Sequence, residues 1–93
     1  MLFCIHALDK PGSQDLRLAT RQAHLDYAHG GAVKLGGPLL DEAGEMVGSL
    51  IVIEAADLAA AKAWSADDPY TKAGLFAEVQ IRPWRWVVGN PDA

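Results

Sequence analysis

The sequence is poor in several things that would point to a class of protein. It has a single cysteine, so no internal disulfide can form, which fits a reducing, cytoplasmic setting. No apolar run approaches the roughly 18 residues that cross a bilayer, so no membrane association is expected. The apolar opening Met1-Leu2-Phe3-Cys4-Ile5-His6 lacks a basic flank and soon meets Asp9-Lys10-Pro11, which reads against a secretion signal. Basic residues number 8 against 12 acidic ones, too few for counterion release from a phosphate backbone, so nucleic acid is not an expected partner. There is no repeat, linker or low-complexity segment. What is present is 93 residues, 51% of them hydrophobic, with a net charge of −4. That is too apolar for disorder and long enough for one domain, 1–93.

The apolar runs alternate in kind along the chain. Leu2 to Leu8 reads as a strand closed by Asp9-Lys10-Pro11-Gly12. Ser13 is placed to cap a helix with Asp15 in its first turn, running to about His29 before Gly30-Gly31. At 3.6 residues per turn, Leu16, Ala19, Ala23 and Tyr27 share one face, expected to pack on a sheet, with Arg17, Arg21 and His24 on its flank. Val33–Leu40 and Met46–Ile53 are strands joined by Asp41-Glu42-Ala43-Gly44-Glu45. Gly36-Gly37-Pro38 marks a bulge or an edge in the first of them. Asp57 caps a second helix from Leu58 to about Ala66, which Asp68-Pro69 ends. A turn through Lys72-Ala73-Gly74 leads to a last strand from about Phe76. There Val79 and Ile81 share a face, Trp84 and Trp86 have the opposite parity, and Pro83 re-aims the tryptophans.

This order, βαββαβ, is that of the ferredoxin-like α+β fold, an antiparallel sheet with both helices on one face. The other face is left bare, and a second copy of the chain is the expected cover, with Trp84 and Trp86 as contact candidates.

Few polar residues are candidates for chemistry. Cys4 and His6 share a side of the first strand, but a structural metal site needs four ligands and no second pair accompanies them, so no metal is expected. His29 sits where a helix C-terminus suits a partly protonated ring. His24 has a plain reading, a flank histidine bonded to backbone or water, and a sharper one. Side by side on the sheet, the end of the second helix approaches the first, so Asp68 can accept a bond from one His24 nitrogen and leave the other as general base or acid. The plain reading of Asp67-Asp68-Pro69-Tyr70 is a helix terminator with solvated acids. Gly36 and Gly37 permit close approach of a ligand and Ser49 can donate to it, though small residues under a helix explain them equally. Ser49, His24 and Asp68 would also compose a hydrolase triad, but Ser49 lies in mid-strand and not on a sharp turn.

Taken together, Arg21-Gln22-Ala23-His24-Leu25, Gly36-Gly37-Pro38-Leu39, Gly48-Ser49, Ala63-Trp64, Asp68-Pro69-Tyr70, Ala73-Gly74-Leu75-Phe76 and the closing Val79-Gln80-Ile81-Arg82-Pro83-Trp84 resemble the YciI-like (YCII-related) family across nearly the whole chain. The resemblance implies a dimeric α+β barrel, hence a homodimer or higher homo-oligomer. It also implies a pocket holding a helix histidine and the aspartate of the Asp-Pro-aromatic motif, which fall here on His24 and Asp68, with Asp67 as the alternative carboxylate. Some relatives eliminate chloride from hydroxylated aromatic rings, and the wider superfamily includes isomerases and small monooxygenases. The expectation is a cofactor-free lyase or isomerase working by acid–base chemistry on a small cyclic or aromatic compound. Arg21, Gly36, Gly37, Pro38, Ser49 and Tyr70 would line the ligand, and Arg17 or Arg21 would hold an anionic group on it, although the plain reading of both is a solvated helix-face arginine. A binding or sensing module without turnover, or an accessory subunit of a larger enzyme, is the alternative.

Overall fold

Strict alternation in the first strand decides which way the sheet faces. In the computed structural model, which describes residues 1–92, Phe3, Ile5 and Ala7 are buried while the residues between them are more exposed. The elements are β1 (Leu2–Asp9), α1 (Gln14–Ala28), β2 (Val33–Leu40), β3 (Met46–Glu54), α2 (Leu58–Asp67), α3 (Pro69–Lys72) and β4 (Phe76–Pro83). The strands form one antiparallel sheet in the order β2-β3-β1-β4, the ferredoxin-like arrangement. The register sets Phe3 opposite Ile53, and Ile5 between Ile51 and Ile81. A one-residue slip would turn this whole set to the other face, so burial of the set fixes the pairing. With Ala61 of α2 these side chains make the core, against which Val33, Trp64 and Ile81 pack. The opposite face presents Cys4, His6, Leu8, Leu35 and Leu50, none of them buried.

Two glycines act differently in this sheet. At Gly48 a Cβ would lie 2.3 Å from the Ala7 carbonyl oxygen, so the β1–β3 pairing there requires glycine. At Gly36 a Cβ would make ordinary contact with Ile51, at 3.5 Å from its side chain. β2 is an edge strand, and its register shifts between Val33 and Leu35 and again between Leu39 and Leu40, on either side of the Gly36-Gly37-Pro38 run.

The helices follow the capping logic in one case and depart from it in the other. Asp57 accepts from the Ala60 amide at 2.8 Å and starts α2. Ser13 occupies the cap position of α1 but makes no side-chain capping bond. The inward face of α1 also differs from the apolar stripe expected from periodicity. Leu16, Ala19 and Ala23 are exposed, and the buried residues are Arg17 and His24. They lie two turns apart on one face, and the helix is rotated to bring them inward because each finds a buried partner there, as shown below.

The chain end holds a further difference. Pro83 closes β4, so Trp84 and Trp86 lie beyond the strand and its parity does not apply to them. The Trp84 amide still bonds to the Leu2 carbonyl at 2.9 Å. The two indoles pack on each other with centroids 5.7 Å apart.

Candidate active site

The proline that ends α2 creates the centre of the site. Asp68 precedes Pro69, is held extended at φ −60°, ψ 129°, and caps the short helix α3 by accepting from the Tyr70 amide at 2.9 Å. The same oxygen, Oδ1, lies 2.8 Å from His24 Nδ1, and Asp68 is only 2% exposed. Because an ionised carboxylate only accepts, Nδ1 donates and Nε2 is the nitrogen left free. Asp67 points elsewhere: it is exposed, with Lys72 Nζ 4.0 Å away.

Tyr70 is brought in by the same turn and slots between the two inward residues of α1. Its ring stacks on His24 at 4.1 Å between centroids and 17° between planes, and Arg17 Cζ lies over the same ring, 4.6 Å from its centroid. Phe76 meets its edge at 6.0 Å. Burial pushes the Tyr70 phenol above its ordinary range, and the positive charges of Arg17 and Arg21 offset only part of this.

Arg17 is 2% exposed and is held by three hydrogen bonds through Nε and Nη2. Its Nε donates to Asp9 Oδ2 at 2.7 Å and its Nη2 to Asp9 Oδ1 at 2.9 Å and to Ser49 Oγ at 2.9 Å. Burial disfavours the guanidinium charge, but the bonds and charge of Asp9, with Tyr70, outweigh it and hold Arg17 more firmly protonated than usual. Ser49 is therefore bonded to Arg17 and not to His24.

Beside this stack opens a cavity of about 580 Å³, a size ordinary for small-molecule sites. Arg21, His24, Ser49 and Tyr70 contribute to its polar wall, and Gly36, Gly37 and Pro38 of β2 to the strand wall. Leu25, Met46 and Ile51 are among its apolar lining. Asp68 lies behind His24 and does not line the cavity. Cys4 and His6 belong to the other sheet face, and burial raises the Cys4 thiol above its ordinary value. Among the described residues no group of three or more His, Cys, Asp or Glu gathers as metal ligands would.

Asp9 is the residue that sequence reasoning missed. It looked like the start of a turn, yet it ends β1 beside the first turns of α1. An acid closing a strand, with an arginine eight positions later on the following helix, is the signal that would have found the pair.

A four-stranded antiparallel sheet with helices on one face and a polar cleft between helix and sheet places the chain among the small ferredoxin-like α+β proteins. Comparison with known proteins narrows the class: residues 1–85 match the YCII-related domain, and the chain belongs to that family. It is 36% identical over 97 residues to Protein YciI of Escherichia coli O6:H1, covering 94% of this chain and 99% of the relative. It is also 36% identical over 98 residues to a protein of Haemophilus influenzae, with the same coverage. Among solved structures it is similar to 5-chloro-2-hydroxyhydroquinone dehydrochlorinase (TftG) of Burkholderia phenoliruptrix AC1100 in complex with 2,5-dihydroxybenzoquinone. That match has a TM-score of 0.83 and 35% identity over 91% of this chain and 94% of that one. An antibiotic biosynthesis monooxygenase, at 16% identity and a TM-score of 0.58, shares the fold.

Proposed function

We propose that the protein is an enzyme that performs cofactor-free general acid–base chemistry, an elimination or isomerisation, on a small cyclic or aromatic compound. The observation that carries this reading is the buried 2.8 Å contact between His24 Nδ1 and Asp68 Oδ1 at the wall of a cavity sized for such a compound. Asp68 orients the ring and stabilises the imidazolium, and Nε2 exchanges the proton with the ligand, a contribution of about 10²–10⁴-fold. In an elimination from an aromatic ring, His24 first moves a hydroxyl proton to the carbon that bears the leaving group, making it tetrahedral; Nε2 then takes the proton of a second ring hydroxyl, that oxygen's electron pair moves into the ring, and the leaving group departs with its bonding pair. The proton then passes from His24 to water. In an isomerisation His24 returns it to a different carbon.

Tyr70 fixes the plane of the imidazole by stacking on it, and its π face favours the protonated state that forms in turnover. Gly36, Gly37, Pro38 and Ser49 shape the space for the ring, and Arg21 stands at its rim. The similarity to a dehydrochlorinase acting on a hydroxylated aromatic ring supports elimination as the first reaction to test. The working unit on this reading is a cytoplasmic homodimer in which the bare sheet face meets that of a second copy.

The test uses 5-chloro-2-hydroxyhydroquinone as substrate and 2,5-dihydroxybenzoquinone as binding probe. Chloride release by the wild type, lost in His24→Ala while the probe still binds, is the expected result. Probe binding without turnover of any ring compound supports a binding or sensing module instead. Failure to bind the probe at all overturns the ring-pocket reading.

A further inference from the structure

We infer that the pocket selects its ring as an anion and that Arg21 is the residue that reads the charge. This deepens the acid–base reading above and rests on it. The chain is acidic overall, with 12 Asp and Glu against 8 Lys and Arg. Yet among the described residues the cavity wall holds two arginines and two histidines and no carboxylate.

The two arginines are not equivalent. The charge of Arg17 is cancelled at 2.7 Å by Asp9, and three of its N–H bonds are spent on Asp9 and Ser49. The other nearby carboxylate, Asp68, is likewise occupied, by His24 Nδ1 and the Tyr70 amide. Arg21 lies one turn beyond Arg17 on the same inward stripe, is exposed at the rim, and takes part in none of the ion pairs among the described residues. It is the uncancelled cation of the pocket, and its field already reaches the Tyr70 phenol.

A neutral ring would gain only an ordinary hydrogen bond or a face contact from such a group, until His24 takes a hydroxyl proton and leaves charge on it. A ring bearing an enolate, phenolate or carboxylate oxygen would gain a charge-assisted, geometrically forked contact. It would present that oxygen to Arg21 while its face lay along the apolar part of the wall. The ligand class is therefore a planar organic anion, and the position of Arg21 one turn before His24 sets the anionic oxygen close to the carbon or oxygen that exchanges its proton.

The experiment compares two rings of similar size by isothermal titration of the whole protein. 2,5-Dihydroxybenzoquinone is a vinylogous acid and is anionic at neutral pH; hydroquinone is neutral. The wild type should bind the anion more tightly, with an affinity that falls between about 0.05 and 0.5 M salt, where screening becomes strong. Arg21→Gln should weaken the anion by about 3–30-fold, the range between an exposed ion pair and a charged hydrogen bond. It should change hydroquinone less than about twofold and remove most of the salt dependence, while Arg21→Lys restores part of the anion's affinity. Replacing an exposed side chain leaves the fold in place, and circular dichroism checks it. Unchanged anion binding in Arg21→Gln, or an equal loss for both rings, overturns the charge rule and leaves the ring pocket standing. A wild type that binds neither ring overturns both.

Discussion

Replacing Asp9 with alanine isolates the cost of a buried charge in this fold. Arg17 is 2% exposed, and Asp9 supplies two of its three hydrogen bonds, at 2.7 and 2.9 Å. Removing the carboxylate leaves a guanidinium that is both buried and uncompensated, because Ser49 offers only a neutral oxygen. Breaking one side of such a pair costs about 3–5 kcal/mol. A chain of 93 residues has a total stability of roughly 5–14 kcal/mol. The variant should therefore lose about a fifth or more of it, lowering the thermal midpoint by roughly 12 °C or more. Urea unfolding at fixed protein concentration measures this directly. The double variant Asp9→Leu with Arg17→Met removes both charges and should recover most of the loss, since a buried pair exchanged for apolar side chains is often neutral. A cost below about 1 kcal/mol for Asp9→Ala, or no recovery in the double variant, would refute the reasoning.

Other outcomes follow from the same geometry. Gly48→Ala forces a Cβ to within 2.3 Å of the Ala7 carbonyl and should destabilise by about 1–3 kcal/mol through overpacking, whereas Gly36→Ala, in ordinary contact, should be neutral or slightly stabilising. Asp57→Ala removes the α2 cap and should cost about 0.5–2 kcal/mol in urea unfolding. The phenols of Tyr27 and Tyr70 are both raised above 10.0, chiefly by burial. The unfolded chain then loses those protons first, so stability is intact below pH 10 and declines as pH rises beyond it. Urea midpoints taken between about pH 8 and 10.5 check this, and Tyr70→Phe should flatten the decline.

The sheet was legible because its signal is local. Alternation in Leu2–Leu8, the Gly44 hairpin and the parity of Val79 and Ile81 all follow from a period of two, and the register obeys it. Pairing His24 with a carboxylate of the Asp-Pro turn needed only topology and a family resemblance, and the choice of Asp68 over Asp67 came from the backbone that Pro69 imposes. The inward face of α1 was not legible. Periodicity counts apolar side chains, and this helix buries Arg17 and His24 because Asp9, Ser49 and Asp68 wait for them from other elements. Leu16 and Leu18 are left outside as a consequence. The last strand is shorter than its apolar run suggests: Pro83, expected to re-aim Trp84 and Trp86, ends β4 before them.

The central claim is that Asp68 holds His24 in one tautomer with Nε2 free, and nitrogen-15 NMR of the imidazole rings reads this without any substrate. Neutral His24 should show a protonated Nδ1 and a bare Nε2, unlike a solvent-exposed ring such as His29, and Asp68→Ala should abolish that difference. A His24 ring protonated on Nε2 in the wild type, or a tautomer unchanged in Asp68→Ala, would contradict the account.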